Sequence, residues 1–175
     1  MGYGLGSRLF HWLTVLLLLV MIPSGIVMVQ QIPRPLQDGL FVLHKGLGSL
    51  FLVLILLRLA WRAGHPPPPL PASVPPWQRR AAAWVHAGLY LLLLVVAVSG
   101  YVRVTMGGFP IEWLQGLGIP PLLPVDKPLG EAAGRVHFWA KLPLFALILA
   151  HIGAAGYHGL VRRDGVVSRM WPPFG

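Results

Sequence analysis

The sequence predicts an all-α integral membrane protein: a four-helix bundle with both termini on the cytoplasmic side, built as one domain over residues 1–175. Three observations carry this. Of the residues, 55% are hydrophobic and 11% charged, whereas a soluble domain carries about 25% charged residues. Four apolar runs, at about residues 8–30, 40–62, 81–103 and 136–161, each reach the ~20 residues that a helix needs to cross hydrocarbon. Because backbone in lipid must satisfy its own hydrogen bonds, these runs are helices and not strands. Finally, the cations divide unevenly between alternate ends of the runs. Arg8, Arg58, Arg62, Arg79, Arg80, Arg162, Arg163 and Arg169 fall on the side of the termini with one acid, Asp164; Arg34, Lys45, Arg103, Lys127, Arg135 and Lys141 fall on the other with four acids. That bias puts both termini inside.

The first run opens on SRLFHWL, with His11 near its inner end, and Pro23 is expected to bend it. It is too long for a signal peptide and lacks a small-residue cleavage site. The second run carries His44 at its outer end, followed by Gly46 and Gly48, small residues that let a flat ring or another helix approach closely. A stiff His65–Pro69 stretch follows, with Trp77 beyond it as an interface anchor; His65 is read as a solvated loop residue. The third run has His86 at its inner end. The outer loop, about residues 103–135, is rich in Gly and Pro, carries Phe109 and Trp113, and is read as a cap over the outer end. The last run contains His137, His151 and His158, with Pro143 as a second bend and Gly153, Ala154 and Ala155 after His151.

The spacing of His137 and His151 is the most informative local feature. At ~100° per residue, fourteen steps return to within about 40° of the starting direction, and at ~1.5 Å rise they span about 21 Å. Two histidines on one face, at opposite depths of one membrane helix, point to two cofactors stacked across the bilayer. The outer level offers His44 with His137. The inner level offers His11 with His151, while His86 and His158 are further candidates; His158 lies seven residues beyond His151 on nearly the same face, and spacing does not choose between them. Two imidazoles clamping a planar macrocycle make a six-coordinate b-type haem suited to electron transfer.

The composition also excludes. With no cysteine there are no disulfides, no Cys-ligated iron–sulfur clusters and no covalent c-type haem. The net charge of +9 is read as attraction to membrane lipid and not to nucleic acid. Paired carboxylates, nucleophile triads and phosphate-binding glycine motifs are missing from the apolar runs, which argues against hydrolytic or transferase chemistry.

The stretches SRLFHWL (Ser7–Leu13), LHKGLGSLFLVLILLRLAWR (Leu43–Arg62), the 89–100 segment ending in SGY and HFWAKLPLFALILAH (His137–His151) resemble the bacterial cytochrome b561 family. The likeness covers nearly the whole chain, and the length is similar to the compact four-helix members, superoxide oxidases among them. It implies two haem b groups, the inner held by His11 and His151 and the outer by His44 and His137, so it favours His151 over His158. It further implies a multi-pass protein of the bacterial inner membrane that moves electrons between an outer-side donor, superoxide in some members, and ubiquinone. Lys45 and Lys141, with Arg103 and Arg135, would then lie near the outer haem, either steering an anion or serving as interfacial cations. A second expectation is a haem-bearing anchor that docks a periplasmic redox partner or dehydrogenase subunit. A third, a small transporter using the histidines for protons or metals, applies only if haem is absent.

Overall fold

The computed structural model describes residues 2–171. In chain order these form α1 (Leu5–Val27), α2 (Arg34–Gly64), α3 (Pro76–Met106), the short α4 (Glu112–Gly116) and α5 (Lys127–Gly156). A π-helical turn, Tyr157–Arg162, continues α5, and a 3-10 turn, Val167–Arg169, follows it. No strand occurs among the described residues. The four long helices are apolar and long enough to cross a membrane, α5 with its π-helical continuation.

Three of these helices start well before the apolar runs that announced them. Pro35 and Pro76 sit in the first turns of α2 and α3, where φ is already helical and no amide is missed. The Asp126 carboxylate accepts the Leu129 amide at 3.0 Å and caps α5, with Pro128 just inside. These polar first turns extend the helices beyond the hydrocarbon. Pro23 and Pro143 both lie inside helices, α1 and α5. The one element not anticipated is α4, five residues within the loop read as a cap.

The helices pack in sequence: α1 on α2, α2 on α3, and α3 most extensively on α5, without comparable packing of α5 on α1 or α2. Glycine sets the closest approach between α3 and α5. A Cβ on Gly130 would lie 2.7 Å from the Gly107 backbone nitrogen, and one on Gly88 would lie 2.7 Å from a Leu147 methyl. The buried core is small and central: Phe51 and Ile55 from α2, Leu93 and Ala97 from α3, and Leu144 from α5. Many remaining apolar side chains face outward; Leu19 and Leu149 are about 70% exposed, as expected where lipid tails replace a protein core. Buried hydroxyls return their protons to the preceding turn, Thr14 to Phe10 O at 2.6 Å, Ser99 to Val95 O at 2.6 Å and Thr105 to Tyr101 O at 2.9 Å.

Both ends of the described chain meet at one end of the bundle. The Tyr3 amide donates to Arg169 O at 3.1 Å, and the Trp12 indole to Met170 O at 3.0 Å. The proline-rich α2–α3 connection lies at the same end. Its prolines offer carbonyls but no N–H, and arginines supply the missing donors: Arg169 to Pro68 O, Arg162 to Ser73 O, and Arg79 to Pro71, Ala72 and Val74 O. His65 stacks on Trp61, ring centres 3.8 Å apart, away from every other histidine.

Candidate functional site

Six of the seven histidines lie within the long helices or the π-helical turn that continues α5, and the structure sorts five of them into two levels. At the end away from the termini, His44 of α2 and His137 of α5 face each other with ring centres 6.5 Å apart. At the terminal end, His151 of α5 stands 6.1 Å from His11 of α1 and 5.3 Å from His86 of α3. Leu144 is midway along α5 between the two levels, so the central core separates them.

The His44–His137 pair is oriented by its neighbours. His137 Nδ1 donates to Val96 O at 2.9 Å, which fixes the proton on that nitrogen and leaves Nε2 bare. Ser24 has one hydroxyl proton and directs it to Met21 O at 3.1 Å, so its oxygen is left to accept from His44 Nδ1 at 3.2 Å. Both Nε2 atoms are therefore available to a metal, the usual consequence of a hydrogen bond that holds the far ring nitrogen. Glycines make room for the two rings. A Cβ on Gly25 would lie 2.9 Å from His44 Cε1, and one on Gly100 would lie 3.0 Å from His137 Cε1 and Nδ1.

These arrangements fit a haem iron. Two imidazoles on one metal, at the ~2.0–2.1 Å usual for metal–imidazole bonds, have ring centres about 6 Å apart. The observed 6.5 Å and 6.1 Å match. In each pair the partners come from helices without extensive packing on one another, α2 with α5 and α1 with α5. Among the described residues no cluster of three or more His, Cys, Asp or Glu could hold a bare ion; an iron porphyrin needs only two protein ligands, because the macrocycle fills the other four positions.

The further candidates separate. His86 joins the His11–His151 group. His158 sits in the π-helical turn and binds Asp164, Nδ1 to Oδ2 at 2.6 Å. Burial works to raise the Asp164 carboxyl, but the His158 and Val166 N–H bonds outweigh it and hold the group below its usual value. A depressed carboxyl stabilises above the ordinary pKa, ~3.9, and that stabilisation is lost as pH falls through the folded value. We expect the Tm difference between the protein and Asp164→Asn to be full above pH ~4 and to decline below it, as pH falls through the depressed folded value.

Lys45 is committed rather than free. Its ammonium lies 2.7 Å from Glu112 and 2.8 Å from Pro110 O, which ties α4 to α2 beside His44. Burial pushes the Glu112 carboxyl up, but the Lys45 hydrogen bond prevails and holds it below its usual range. The Trp113 ring rests against Gly46, so this glycine seats the strap and not a cofactor. Lys141 lies over the Phe138 ring at 4.4 Å, in no ion pair among the described residues. Residues that spacing did not identify are Ser24, Gly25, Val96 and Gly100. Their signal is two Ser-Gly pairs, Ser24-Gly25 and Ser99-Gly100, each embedded in an apolar run.

Four membrane-length helices with histidines facing each other at two depths suit one class, the helical membrane cytochrome. The chain belongs to the prokaryotic cytochrome b561 family, whose profile matches residues 2–173. It is 34% identical to cytochrome b561 homolog 2 of Escherichia coli (strain K12) over 173 residues, 96% of this chain and 90% of that protein. It is 28% identical to cytochrome b561 homolog 1 of the same organism over 130 residues, 74% of this chain and 73% of that protein. It is also 28% identical to a probable superoxide oxidase CybB of Yersinia pestis over 163 residues, covering 93% and 91% of the two chains. Membership makes it a multi-pass membrane protein of electron transport, and implies haem b as its cofactor and quinone or redox proteins as its partners.

Proposed function

We propose that the chain is a di-haem b cytochrome of the bacterial inner membrane, passing electrons between a donor at the outer face and ubiquinone. The observation that carries this reading is the pairing itself: two histidine pairs at metal-ligand separation, on opposite sides of an apolar core. His44 and His137 are the ligands at the outer level and His11 with His151 at the inner, and the whole described chain acts as one domain. Haem supplies a one-electron carrier at each level. Val96 and Ser24 fix the outer imidazoles in the tautomer that presents Nε2. Phe51, Ile55, Leu93 and Leu144 keep water out of the ~21 Å between the levels. The approach of His151 to His11, with ring centres 6.1 Å apart, supports His151 as the inner ligand. The arginine-rich end with both termini is assigned to the cytoplasm on the charge bias.

For the donor, superoxide is the leading candidate, supported by the likeness to the protein named a probable superoxide oxidase. With Lys45 paired to Glu112, steering of an anion falls to Lys141, Arg103 and Arg135. A specific observation favours a second donor class, a docked redox protein or dehydrogenase subunit: the outer loop exposes Leu117 at 74%, Leu122 at 78% and Val125 at 63%. Detergent-purified protein supplied with superoxide and ubiquinone separates the two. The oxidase reading expects superoxide-dependent quinone reduction by the isolated chain, slowed in Lys141→Gln with a flattened salt dependence. No turnover alone, with a partner co-purifying, supports the anchor reading instead.

A further inference from the structure

Arg58 is a half-buried cation on the apolar helix α2, and nothing so far gives it an anion. Its guanidinium lies 3.5 Å from His11 Nδ1 and 5.0 Å from the centre of the Tyr90 ring. With Ser7, Tyr90 and Arg62 it lines a cleft at the terminal end of the bundle. The chain has five acids, Asp38, Glu112, Asp126, Glu131 and Asp164. Asp38, Glu112, Asp126 and Glu131 belong to the α1–α2 and α3–α5 connections and the first turns beside them, at the opposite end, and Asp164 is held by His158 and Arg162. No ion pair among the described residues includes Arg58. A guanidinium at membrane depth is costly unless a counter-charge or hydrogen-bond acceptors meet it, and a neutral imidazole at 3.5 Å is a long, weak acceptor.

Its contact with His11 is also incompatible with ligation through Nε2. An imidazole that presents Nε2 to a metal carries its proton on Nδ1, and two donors would then face each other. The guanidinium is thereby released to another acceptor, and the group that would enter beside His11 brings carboxylates of its own. Arginine matches a carboxylate in a two-point, charge-assisted contact that lysine cannot reproduce in shape.

We propose that Arg58 pairs with a propionate carboxylate of the haem held by His11 and His151, anchoring that haem and raising its reduction potential. This rests on the di-haem reading above. Positive charge near the iron favours the reduced state, and removing it leaves the propionate charge uncompensated.

The test is a redox titration of the purified, haem-loaded protein and of Arg58→Gln and Arg58→Lys. The inner haem is identified as the one lost in His151→Ala, and the outer haem is the internal reference. Arg58→Gln is expected to shift the inner potential downward and leave the outer unchanged, with Arg58→Lys restoring most of the shift because the charge remains. If Arg58→Gln folds without the inner haem, retention of that haem by Arg58→Lys supports the pairing and its loss overturns it. An inner potential unmoved in Arg58→Gln overturns the proposal, as expected if a lipid phosphate is the true counter-ion. Equal shifts in both haems, or the same fall in the Gln and Lys variants, overturn it as well. Absence of haem from the unsubstituted protein sinks the di-haem reading itself, whereas two haems with an insensitive inner potential sink the Arg58 pairing alone.

Discussion

His137→Ala is expected to remove one haem and leave the other, and His44→Ala to remove the same one. Each substitution would delete one of the two proposed axial ligands, whose rings face each other at 6.5 Å, and a single imidazole would hold weakly a b-type haem that has no covalent link, since the chain has no cysteine. The total haem content should fall by half in either variant, with one component of the reduced-minus-oxidised spectrum lost. His11→Ala and His151→Ala should remove the other component, and His158→Ala neither, because it is His151 that faces His11. Loss of different components in His44→Ala and His137→Ala would show that these two do not share a metal. Loss of the inner component in His158→Ala but not His151→Ala would reassign the inner ligand.

The second large effect is steric. Gly25→Val and Gly100→Val each add side-chain atoms where even a Cβ would come within 2.9–3.0 Å of a ligand imidazole. Forcing a group into such a packed place costs about 1–3 kcal/mol, equivalent to roughly fivefold to 150-fold weaker retention of the outer haem. The inner haem should be unaffected, because the atoms nearest to a Cβ at either glycine belong to the outer pair. Haem content and the outer spectral component measure this directly. Wild-type outer haem in both variants would mean that the two rings are not held where the structure has them.

Much of this architecture was legible in the sequence because hydrophobic length and histidine depth are properties of single helices. The four spans follow from hydrophobic length and rise per residue, and both termini at one end follow from alternating spans with an uneven charge. The helix ends were less legible: Pro35, Pro76 and the Asp126 cap start helices in polar residues that carry no hydropathy signal. What could not be read depended on which helix lies beside which. Gly25 faces His44 and Gly100 faces His137 only because α1 packs on α2 and α3 on α5, whereas Gly46, which adjoins His44 in sequence, receives Trp113 instead. The Lys45–Glu112 pair joins residues 67 apart in sequence and turns an expected surface charge into a fastening for α4. At the inner level, His86 lies nearer to His151 than His11 does, a proximity that no spacing rule contained.

The central claim, two histidine-ligated haems in one chain, is tested most directly by haem content per polypeptide: a pyridine haemochrome assay with a reduced-minus-oxidised spectrum on the detergent-purified protein. The account predicts two b-type haems per chain, resolved as separable components by potential or spectrum. One haem per chain would mean that only one histidine pair binds, and none would leave the histidines to protons, metals or packing and contradict the electron-transfer mechanism derived from them.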